Sequence, residues 1–358
     1  MAKKANGPVN VAVIGLGIGR NHLKSYLSNP QANVVGICDA DPKKLMAVAA
    51  DTGIDEDACF TDYKDLLARA DSLDLQAVSV ALPNFLHAPV TKAAFQAGCH
   101  VLCEKPIAMT AAQGRQMIAA GKKAGRTLMI NLSFRYTAQS RALKRAVEEG
   151  LVGDIYYGRT VWHRRRGLPG FGGWFGQRDK SGGGPIIDLG VHRLDLAMWL
   201  MGNPRPVTVS ASTYNVIGAA EAKKQGKAFD VEDLGGALIR FDNGATLILE
   251  ASWAGFAEKR EDMVTQLWGT EGGLAQRNVG EGYDFEALLF QEKGQSLWSS
   301  KLQQPMGPCP SAYEEFIEAI MENRKPLSPG EHGLDVQLIL DAIYKSAAAG
   351  KEVRIPKK

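Results

Sequence analysis

The first third of the chain alternates between short apolar runs and amphipathic stretches. Val9–Ile14 is a nearly continuous apolar, mostly β-branched run, typical of a parallel strand buried on both faces. Four further strands are predicted in this region, with helical patterns between them: 33–38, 75–82, His100–Cys103 and 127–131. Strands that alternate with helices predict a doubly wound parallel sheet, whose ligands bind at the carboxyl ends of the strands.

After about residue 135 the pattern changes, and strands dominate. They are predicted at 155–162, 207–214, Leu234–Phe241, 245–253 and 263–268, with helices at 141–149, 313–323 and 334–348 and loops at 218–230 and 291–308. Asn243-Gly244 separates two of these strands, and Asn-Gly is a strong hairpin signal. We therefore expect an α+β arrangement with a large open, mainly antiparallel sheet.

A length of 358 residues favours two domains. We expect a first domain over 1–132 and a second over 133–358, with C-terminal helices that could pack back on the first domain.

Composition excludes several classes of partner. The 42 basic and 39 acidic residues leave a net charge of only +3, which argues against nucleic acid and against an anionic membrane surface. The five cysteines lack metal-type spacing, so no metal is expected and they are interpreted as reduced thiols. The start of the chain has no apolar signal region and no run is long enough to span a membrane, so a cytoplasmic protein is expected.

A glycine-rich turn follows the first strand. Gly15, Gly17, Ile18 and Gly19 form this turn, which leads directly into a helical pattern. Glycines let the backbone approach a pyrophosphate, and the start of the helix offers N–H donors to it. The third glycine comes one residue earlier than in the usual G-x-G-x-x-G pattern.

The second predicted strand ends in an acid. Asp39 lies close to the spacing, about 20 residues on, at which a carboxylate accepts hydrogen bonds from an adenosine ribose. A carboxylate there would repel a 2′-phosphate, which favours NAD over NADP. Lys43 and Lys44 are near enough to keep NADP possible, although they also fit a solvated helix face.

Polar residues also follow the later strands of the first domain. Pro83, Asn84 and His87 come after one strand, and Glu104 and Lys105 come after the next. Because these positions fall at carboxyl ends of parallel strands, all five are candidate cofactor-binding residues.

Asp188 and His192 follow the glycine-rich loop Ser181-Gly-Gly-Gly-Pro185. If a helix begins near Asp188, the two side chains are i and i+4 and share one face. An acid and an imidazole so placed can orient a substrate hydroxyl and remove its proton. A metal site with His163 as third ligand is an alternative, as are a helix-start Asp and a buried His. Ser181 lacks the G-x-S-x-G pattern of a serine hydrolase.

A basic run offers candidate substrate contacts. His163 and Arg164 begin this run, which precedes a glycine-rich segment and then Trp174. The run could bind substrate or form salt bridges in a solvated loop, and Trp174 could cover a sugar or nicotinamide ring or pack in the core. Arg135 completes the candidate substrate-binding set.

In this order and spacing, the glycine turn, residues 83–87, Glu104-Lys105-Pro106 and residues 188–192 resemble the Gfo/Idh/MocA oxidoreductases, the glucose–fructose oxidoreductase and inositol dehydrogenase family. The resemblance implies a Rossmann domain followed by a domain whose open sheet commonly forms homodimers or homotetramers. It also implies NAD(P)-dependent oxidation or reduction of a secondary alcohol carbon in a sugar, anhydrosugar, cyclitol or glycoside.

The resemblance further implies roles for three residues, all catalytic and in contact with substrate. Lys105 matches the family's catalytic lysine, Asp188 its substrate-orienting acid and His192 its proton-transfer histidine. It also implies a cis peptide between Lys105 and Pro106, and a nicotinamide near both motifs. Two alternatives stay open: an NAD-retaining glycosidase or epimerase that uses transient oxidation, and a non-catalytic dinucleotide-binding sensor. The presence of all three residues argues against the sensor.

Overall fold

The computed structural model describes residues 7–304, 307 and 309–356 and divides into two compact units. The first unit takes the chain up to Leu132 together with Pro310–Leu334. The second takes Ser133–Cys309 and the chain from Asp335 onward. The segment Pro310–Leu334 therefore returns to the first unit. Among the described residues, no helix is long and apolar enough to span a bilayer.

The strands, numbered along the chain, are β1 Val9–Ile14, β2 Ala32–Cys38, β3 Cys59–Phe60, β4 Ala77–Val80, β5 His100–Cys103, β6 Leu128–Ile130, β7 Ile155–Arg164, β8 Pro206–Tyr214, β9 Leu234–Phe241, β10 Thr246–Ser252, β11 Glu261–Gly269, β12 Gly273–Asn278, β13 Phe285–Lys293, β14 Ser296–Lys301 and β15 Val353–Arg354. The α-helices are α1 Gly19–Leu27, α2 Pro42–Thr52, α3 Tyr63–Ala68, α4 Asn84–Gln96, α5 Ala111–Ala124, α6 Ala138–Glu148, α7 Arg178–Ser181, α8 Val191–Leu200, α9 Ile217–Lys224, α10 Ala312–Met321 and α11 Gly330–Ala349.

The first unit contains a six-stranded sheet in the order β3-β2-β1-β4-β5-β6, with every neighbouring pair parallel. This confirms the predicted doubly wound sheet. Val9, Val11 and Val13 of β1 are fully buried, as expected for a central strand covered on both faces. The chain leaves β1 toward β2 on one side and later returns to β4 on the other. Such a reversal opens a crevice at the carboxyl ends of the strands.

The second unit contains a nine-stranded sheet in the order β14-β13-β12-β11-β7-β10-β9-β8-β15. β7 and β10 are parallel, and the other neighbouring strands that the structure describes pair antiparallel. The predicted open, mainly antiparallel sheet is therefore confirmed. One face is buried: Leu247, Leu249 and Ala251 of β10 are inaccessible, whereas alternate residues such as Ile248 and Glu250 stay half-exposed.

The loop predicted at 218–230 was wrong, because it contains most of α9. The helix is fixed by a carboxylate that lies far from it in sequence. Asp233 Oδ2 accepts hydrogen bonds from the backbone N–H groups of Val216 (2.8 Å) and Gly218 (2.7 Å). A helix start is usually recognised in sequence from a capping residue directly before the helix. Here the capping carboxylate comes after the helix in the chain, so the sequence next to the start of α9 does not show it.

The loop predicted at 291–308 was also wrong over its first part. β13 continues to Lys293, and a two-residue turn at Gly294 and Gln295, both with positive φ, leads into β14. Such a turn suits a tight hairpin. Every residue of β14 is exposed, so this edge strand has no apolar alternation that sequence could show. Residues 305, 306 and 308 lie outside the described residues. The elements α2, β3, α3, β12 and most of β13 were not predicted.

Candidate active site

The candidate cofactor-binding residues of the first unit lie along one edge of its sheet. Gly15 follows β1, Asp39 follows β2, Pro83 lies three residues after β4, and Glu104 follows β5. These four strands are neighbours in the order β2-β1-β4-β5 and run parallel. The sheet therefore brings these residues to the same edge, which is where a doubly wound sheet binds its ligand.

The glycine turn fits the pyrophosphate of a dinucleotide. Gly15 has a φ of +94°, and a Cβ there would collide with the carbonyl oxygen of Ala81. A Cβ on Gly17 would meet nothing within 4 Å, so the backbone faces open space there. A Cβ on Gly19 would lie 3.0 Å from the Ala81 Cβ, so this glycine lets α1 pack closely on the sheet. Ile18, at the N-cap, has no polar group that could occupy the helix start.

Asp39 is held against this turn. Its Oδ2 accepts a hydrogen bond from the backbone N–H of Leu16 at 2.8 Å, and its Oδ1 accepts one from Asp41 at 3.0 Å. The Lys44 ammonium lies 3.2 Å from Oδ1. The carboxylate thus has a fixed position beside the turn, as a ribose-binding group requires.

His87 was predicted to contact the cofactor, but its side chain is inaccessible. Its ring is fully buried, with Nδ1 2.7 Å from the Pro106 carbonyl oxygen and Nε2 2.8 Å from that of Leu82. Burial lowers the pKa of this imidazole, although both carbonyls oppose the shift. Both ring nitrogens face backbone oxygens, and a neutral imidazole can donate a hydrogen bond to only one of them at a time, so the ring is occupied by backbone partners. Asn84 begins α4 and is largely buried.

Glu104 is a buried carboxylate with protein partners on every side. Its Oε1 accepts hydrogen bonds from His22 Nε2 (2.9 Å) and Asn131 Nδ2 (2.6 Å), and its Oε2 accepts one from the Lys105 backbone N–H (3.2 Å). Burial alone would raise the pKa of Glu104, but His22, Lys105 and Asn131 together lower it to about 2. The carboxylate is therefore ionised, although it is buried.

Lys105, unlike Glu104, is partly exposed at the end of the strand. The peptide between Lys105 and Pro106 is cis, as the resemblance implied. Asn131 and Tyr313 were not predicted as site residues; the Tyr313 hydroxyl lies 3.5 Å from Asn131 Nδ2. Asn131 directly follows β6, so its place at a strand end was a usable signal; Tyr313 offered none.

Asp188 and His192 stand out by burial in the second unit. Every residue of the run 183–200 is buried except these two, which are half-buried. The helical segment begins earlier than predicted, because a π-helical turn over Ile186–Gly190 precedes α8. Such turns are frequent at functional sites. The accessible polar surface of this run is thus confined to one acid and one imidazole.

The glycine loop before this turn is needed for close packing. A Cβ on Gly183 would collide with the Tyr344 hydroxyl, and one on Gly184 with the Glu232 carbonyl oxygen. The buried Glu232 side chain accepts hydrogen bonds from the Tyr344 hydroxyl (2.8 Å) and the Ile186 N–H (3.2 Å). Burial raises the pKa of Glu232. This support for the π-helical turn was missed, because it comes from residues distant in sequence.

Asp188 and His192 are oriented by aromatic side chains. Trp253, almost completely buried, donates a hydrogen bond from Nε1 to Asp188 Oδ2 at 3.0 Å. The His192 ring packs against Phe134 and Trp162, with centroids 5.3 Å and 5.8 Å away. The carboxylate and the imidazole therefore have restricted orientations, as proton transfer to or from a bound hydroxyl requires.

Arg164 lies on the same side of β7 as Trp162. Its Nε donates to Glu261 Oε1 at 2.9 Å and its Nη2 to the Tyr283 hydroxyl at 3.0 Å, while Trp162 Nε1 donates to Glu261 Oε2 at 2.8 Å. Burial would lower the pKa of the Arg164 guanidinium, but the charges of Glu261 and Asp188 and the Tyr283 bond raise it.

His163 lies on the opposite face of the sheet from His192. Successive side chains of a strand alternate between faces, and Trp162 is the residue that reaches His192. His163 is surrounded instead by Glu250, Asp262 and Arg159, and burial lowers its pKa. The expectation that His163 contacts the substrate, or completes a metal site with His192, is therefore wrong. Among the described residues, no group of three His, Cys, Asp or Glu side chains could hold a metal ion.

Two other candidate substrate contacts have packing partners. The Arg135 guanidinium is fully buried and forms a bidentate pair with Asp195, at 2.9 Å from Nε to Oδ2 and 2.6 Å from Nη2 to Oδ1. We therefore interpret Arg135 as structural and not as a substrate contact. Trp174 stacks on Phe175 with centroids 3.9 Å apart, and Phe175 meets Trp253 edge-on.

Two known protein families match this chain, one in its first part and one in its second. The family described as "Oxidoreductase family, NAD-binding Rossmann fold" matches residues 9–132. The family described as "GFO/IDH/MocA C-terminal domain" matches residues 140–275.

Individual relatives match over nearly their full length. D-glucoside 3-dehydrogenase of Escherichia coli (strain K12) is 30% identical and covers 98% of this chain and 98% of its own. Aldose-aldose oxidoreductase from Caulobacter crescentus, solved with glycerol, has a TM-score of 0.82 and 26% identity, over 97% of this chain and 99% of its own. Levoglucosan dehydrogenase, solved with NADH and levoglucosan, has a TM-score of 0.82 and 25% identity, and the match covers 98% of this chain and 100% of that chain.

The buried Glu104 carboxylate predicts an acid-dependent loss of stability. Its pKa is about 2 in the folded chain against 4.5 in the unfolded reference. A lowered pKa stabilises the fold above about pH 4.5, and this contribution is lost as the pH falls toward 2. The free energy of unfolding of the wild type should fall by roughly 3 kcal/mol more than that of Glu104→Gln over this range. Denaturant titrations at several pH values measure this difference. Parallel pH dependences for the two proteins would contradict the assignment.

Proposed function

This chain belongs to the GFO/IDH/MocA oxidoreductase family, and from that premise we propose that it transfers a hydride between NAD and a secondary alcohol carbon of a sugar, anhydrosugar, cyclitol or glycoside. The observation that carries this proposal is the accessible pair Asp188 and His192 within an otherwise buried run. A pair of this kind has the chemistry to bind a hydroxyl and remove its proton.

The first unit would hold the cofactor. The glycine turn of residues 15–19 would bind the pyrophosphate, and Asp39 would accept hydrogen bonds from the adenosine ribose. When bound, the nicotinamide supplies the hydride acceptor for alcohol oxidation. The partly exposed Lys105, at the same edge of the sheet, is available to a substrate oxygen.

Proton movement would be the work of the chain itself. His192, in its neutral form, takes the proton of the reacting hydroxyl as the carbon loses its hydride and becomes a carbonyl. Lys105 donates a hydrogen bond to that oxygen and stabilises its developing negative charge. Asp188, held by Trp253 Nε1, accepts a hydrogen bond from a substrate hydroxyl and fixes the orientation of the ring. The same groups run in reverse would reduce a carbonyl.

The relatives support a carbohydrate substrate. D-glucoside 3-dehydrogenase and levoglucosan dehydrogenase are named for a glycoside and an anhydrosugar. In the second unit, the exposed Tyr283 packs against the buried Trp162, which in turn packs against His192. Aromatic faces suit the apolar C–H surface of a sugar ring, while the acid and imidazole suit its hydroxyls.

An absorbance assay tests this function. Protein is mixed with NAD and with one member at a time of a panel of free sugars, anhydrosugars, inositols and glycosides, and formation of reduced nicotinamide is followed. At least one class should react. Lys105→Ala and His192→Ala should each lower turnover by about 100-fold to 10,000-fold, because each removes a group acting on the reacting oxygen. Affinity for NAD should change little, and Lys64→Ala, at an exposed site on α3, should behave as the wild type.

Three outcomes would contradict parts of the proposal. Equal loss of NAD affinity and turnover in His192→Ala would reject its assignment as the base. Conversion of substrate without release of reduced cofactor would indicate an NAD-retaining enzyme. Tight NAD binding with no conversion of any panel member would favour a sensor.

We also propose that NAD is preferred over NADP because of the Asp39 carboxylate. Asp39→Asn keeps an oxygen for the Leu16 N–H but removes the charge that repels a 2′-phosphate. The ratio of kcat/KM for NAD to that for NADP should fall at least about tenfold, equivalent to about 1.4 kcal/mol. Asp41→Asn, two residues away at the N-cap of α2, is the matched control and should leave the ratio unchanged. An unchanged ratio in Asp39→Asn would assign selectivity elsewhere.

The half-exposed face of the nine-stranded sheet supports a further proposal, that the chain forms a homodimer or homotetramer through this face. Ile248 lies within β10 on that face and is half-exposed. Ile248→Glu should lower the mass measured by light scattering to that of a monomer, because a buried interface excludes an unpaired charge. Leu297→Glu, at a 90% exposed position of β14, should leave the mass unchanged. A monomeric wild type would reject this proposal.

A further inference from the structure

The residues on either side of Lys105 are each held by a buried histidine. Glu104, which precedes it, is bound through its carboxylate by His22, and Pro106, which follows it, is bound through its carbonyl oxygen by His87. Both histidine rings are fully buried. Lys105 itself is partly exposed, and the residues on both sides of it are held by these contacts.

His22 has a complete set of partners. Its Nε2 lies 2.9 Å from Glu104 Oε1 and its Nδ1 lies 2.8 Å from the Ser79 hydroxyl oxygen, which in turn lies 3.1 Å from the Tyr26 hydroxyl. All donors and acceptors are satisfied when Tyr26 donates to Ser79, Ser79 donates to Nδ1, and the Nε2–H donates to the carboxylate. The order carboxylate, imidazole and hydroxyl is also that of a nucleophilic triad. Ser79, however, is fully buried in β4, which excludes it as a nucleophile for an external substrate.

His87 joins two strand ends. Its Nδ1 lies 2.7 Å from the Pro106 carbonyl oxygen, and its Nε2 lies 2.8 Å from the carbonyl oxygen of Leu82. Leu82 follows β4, and Pro106 follows β5. A neutral imidazole carries a single N–H, so with the proton on Nδ1 the ring donates to the Pro106 carbonyl oxygen and thereby holds the segment after Lys105.

We propose that His22 and His87 are positioning residues that fix the backbone of Lys105 from its two sides. The proposal rests on the proposed function, which gives Lys105 its role at the reacting oxygen. His22 lies on α1, which starts at the glycine turn, and His87 lies on α4, which starts after Pro83. The two helices that begin at the proposed cofactor-binding edge thus also hold the lysine. A misplacement of about 1 Å of a reacting group can cost about 100-fold in rate.

Removal of either ring tests the proposal. His22→Ala and His87→Ala should each lower kcat by about 10-fold to 100-fold, with the dissociation constant for NADH, measured by fluorescence, changed less than about threefold. The matched control is His100→Ala, at the opposite end of β5, where the imidazole accepts a hydrogen bond from the Thr127 N–H. This control should keep nearly full turnover. Loss of NADH affinity as large as the loss of kcat would overturn the proposal.

Conservative variants separate positioning from folding. His22→Gln offers a side-chain amide N–H where Nε2 bonds Glu104, and His87→Asn offers one where Nδ1 bonds Pro106, so both should recover most of the turnover lost in the alanine variants. In a Lys105→Ala background, His22→Ala should lower the residual rate less than twofold, since the group it positions is gone. An undiminished effect in that background would overturn the proposal.

A measurement without turnover keeps this proposal separate from the proposed function. Acylation of Lys105 by acetic anhydride is quantified by mass spectrometry relative to exposed Lys64 on α3. His22→Ala and His87→Ala should label Lys105 at least about threefold faster than the wild type, because its backbone is loosened, while His100→Ala should not. Unchanged labelling overturns the positioning role. An inactive wild type that shows the expected labelling would reject the proposed function alone.

Discussion

The first unit depends on a negative charge that is buried but remains ionised. Burying a lone carboxylate is so costly that it normally takes up a proton. Glu104 avoids this because side chains from α1 and from the end of β6, together with the next backbone N–H, all donate to it. The charge therefore gathers three separate parts of the unit around one strand end. The partly exposed Lys105 occupies its place because the residue before it cannot move without breaking these bonds.

The second unit reaches a defined polar site by the opposite route. Its run from Gly183 to Leu200 buries everything except Asp188 and His192, and aromatic rings that are distant in sequence orient both. The indole of Trp253 donates a hydrogen bond to the acid, and the rings of Phe134 and Trp162 pack against the imidazole. The first unit fixes the backbone of Lys105 through a buried charge, and the second orients Asp188 and His192 through aromatic side chains. In both units, the side chains that hold these residues in position outnumber the side chains that would contact a substrate.

Sequence predicted the parts of this design that are local. Apolar runs predicted β1, β2, β4, β5 and β6 of the first sheet and β7 to β11 of the second. The ends of the predicted strands indicated Asp39, Glu104 and Lys105 as candidates, because buried parallel strands and their polar ends are neighbours in the chain. Supports that act across long sequence separations were not predictable: Tyr313 beside Asn131, Glu232 below the π-helical turn, and Asp233 at α9. The errors at His163, His87 and Arg135 have a related cause. A residue type suggests chemistry, but the face of a strand and the partners in the core decide whether that chemistry is available.

The close approach at Gly183 has a consequence for how such a chain can diverge. The Tyr344 hydroxyl occupies the space that a side chain at residue 183 would need, and it also donates a hydrogen bond to Oε1 of the buried Glu232. A larger residue at 183 would be tolerated only if residue 344 became smaller, and Glu232 would then lose a donor. These three positions are therefore expected to change together during evolution. A segment near the end of the chain would thereby limit which sequences the loop before Asp188 can adopt.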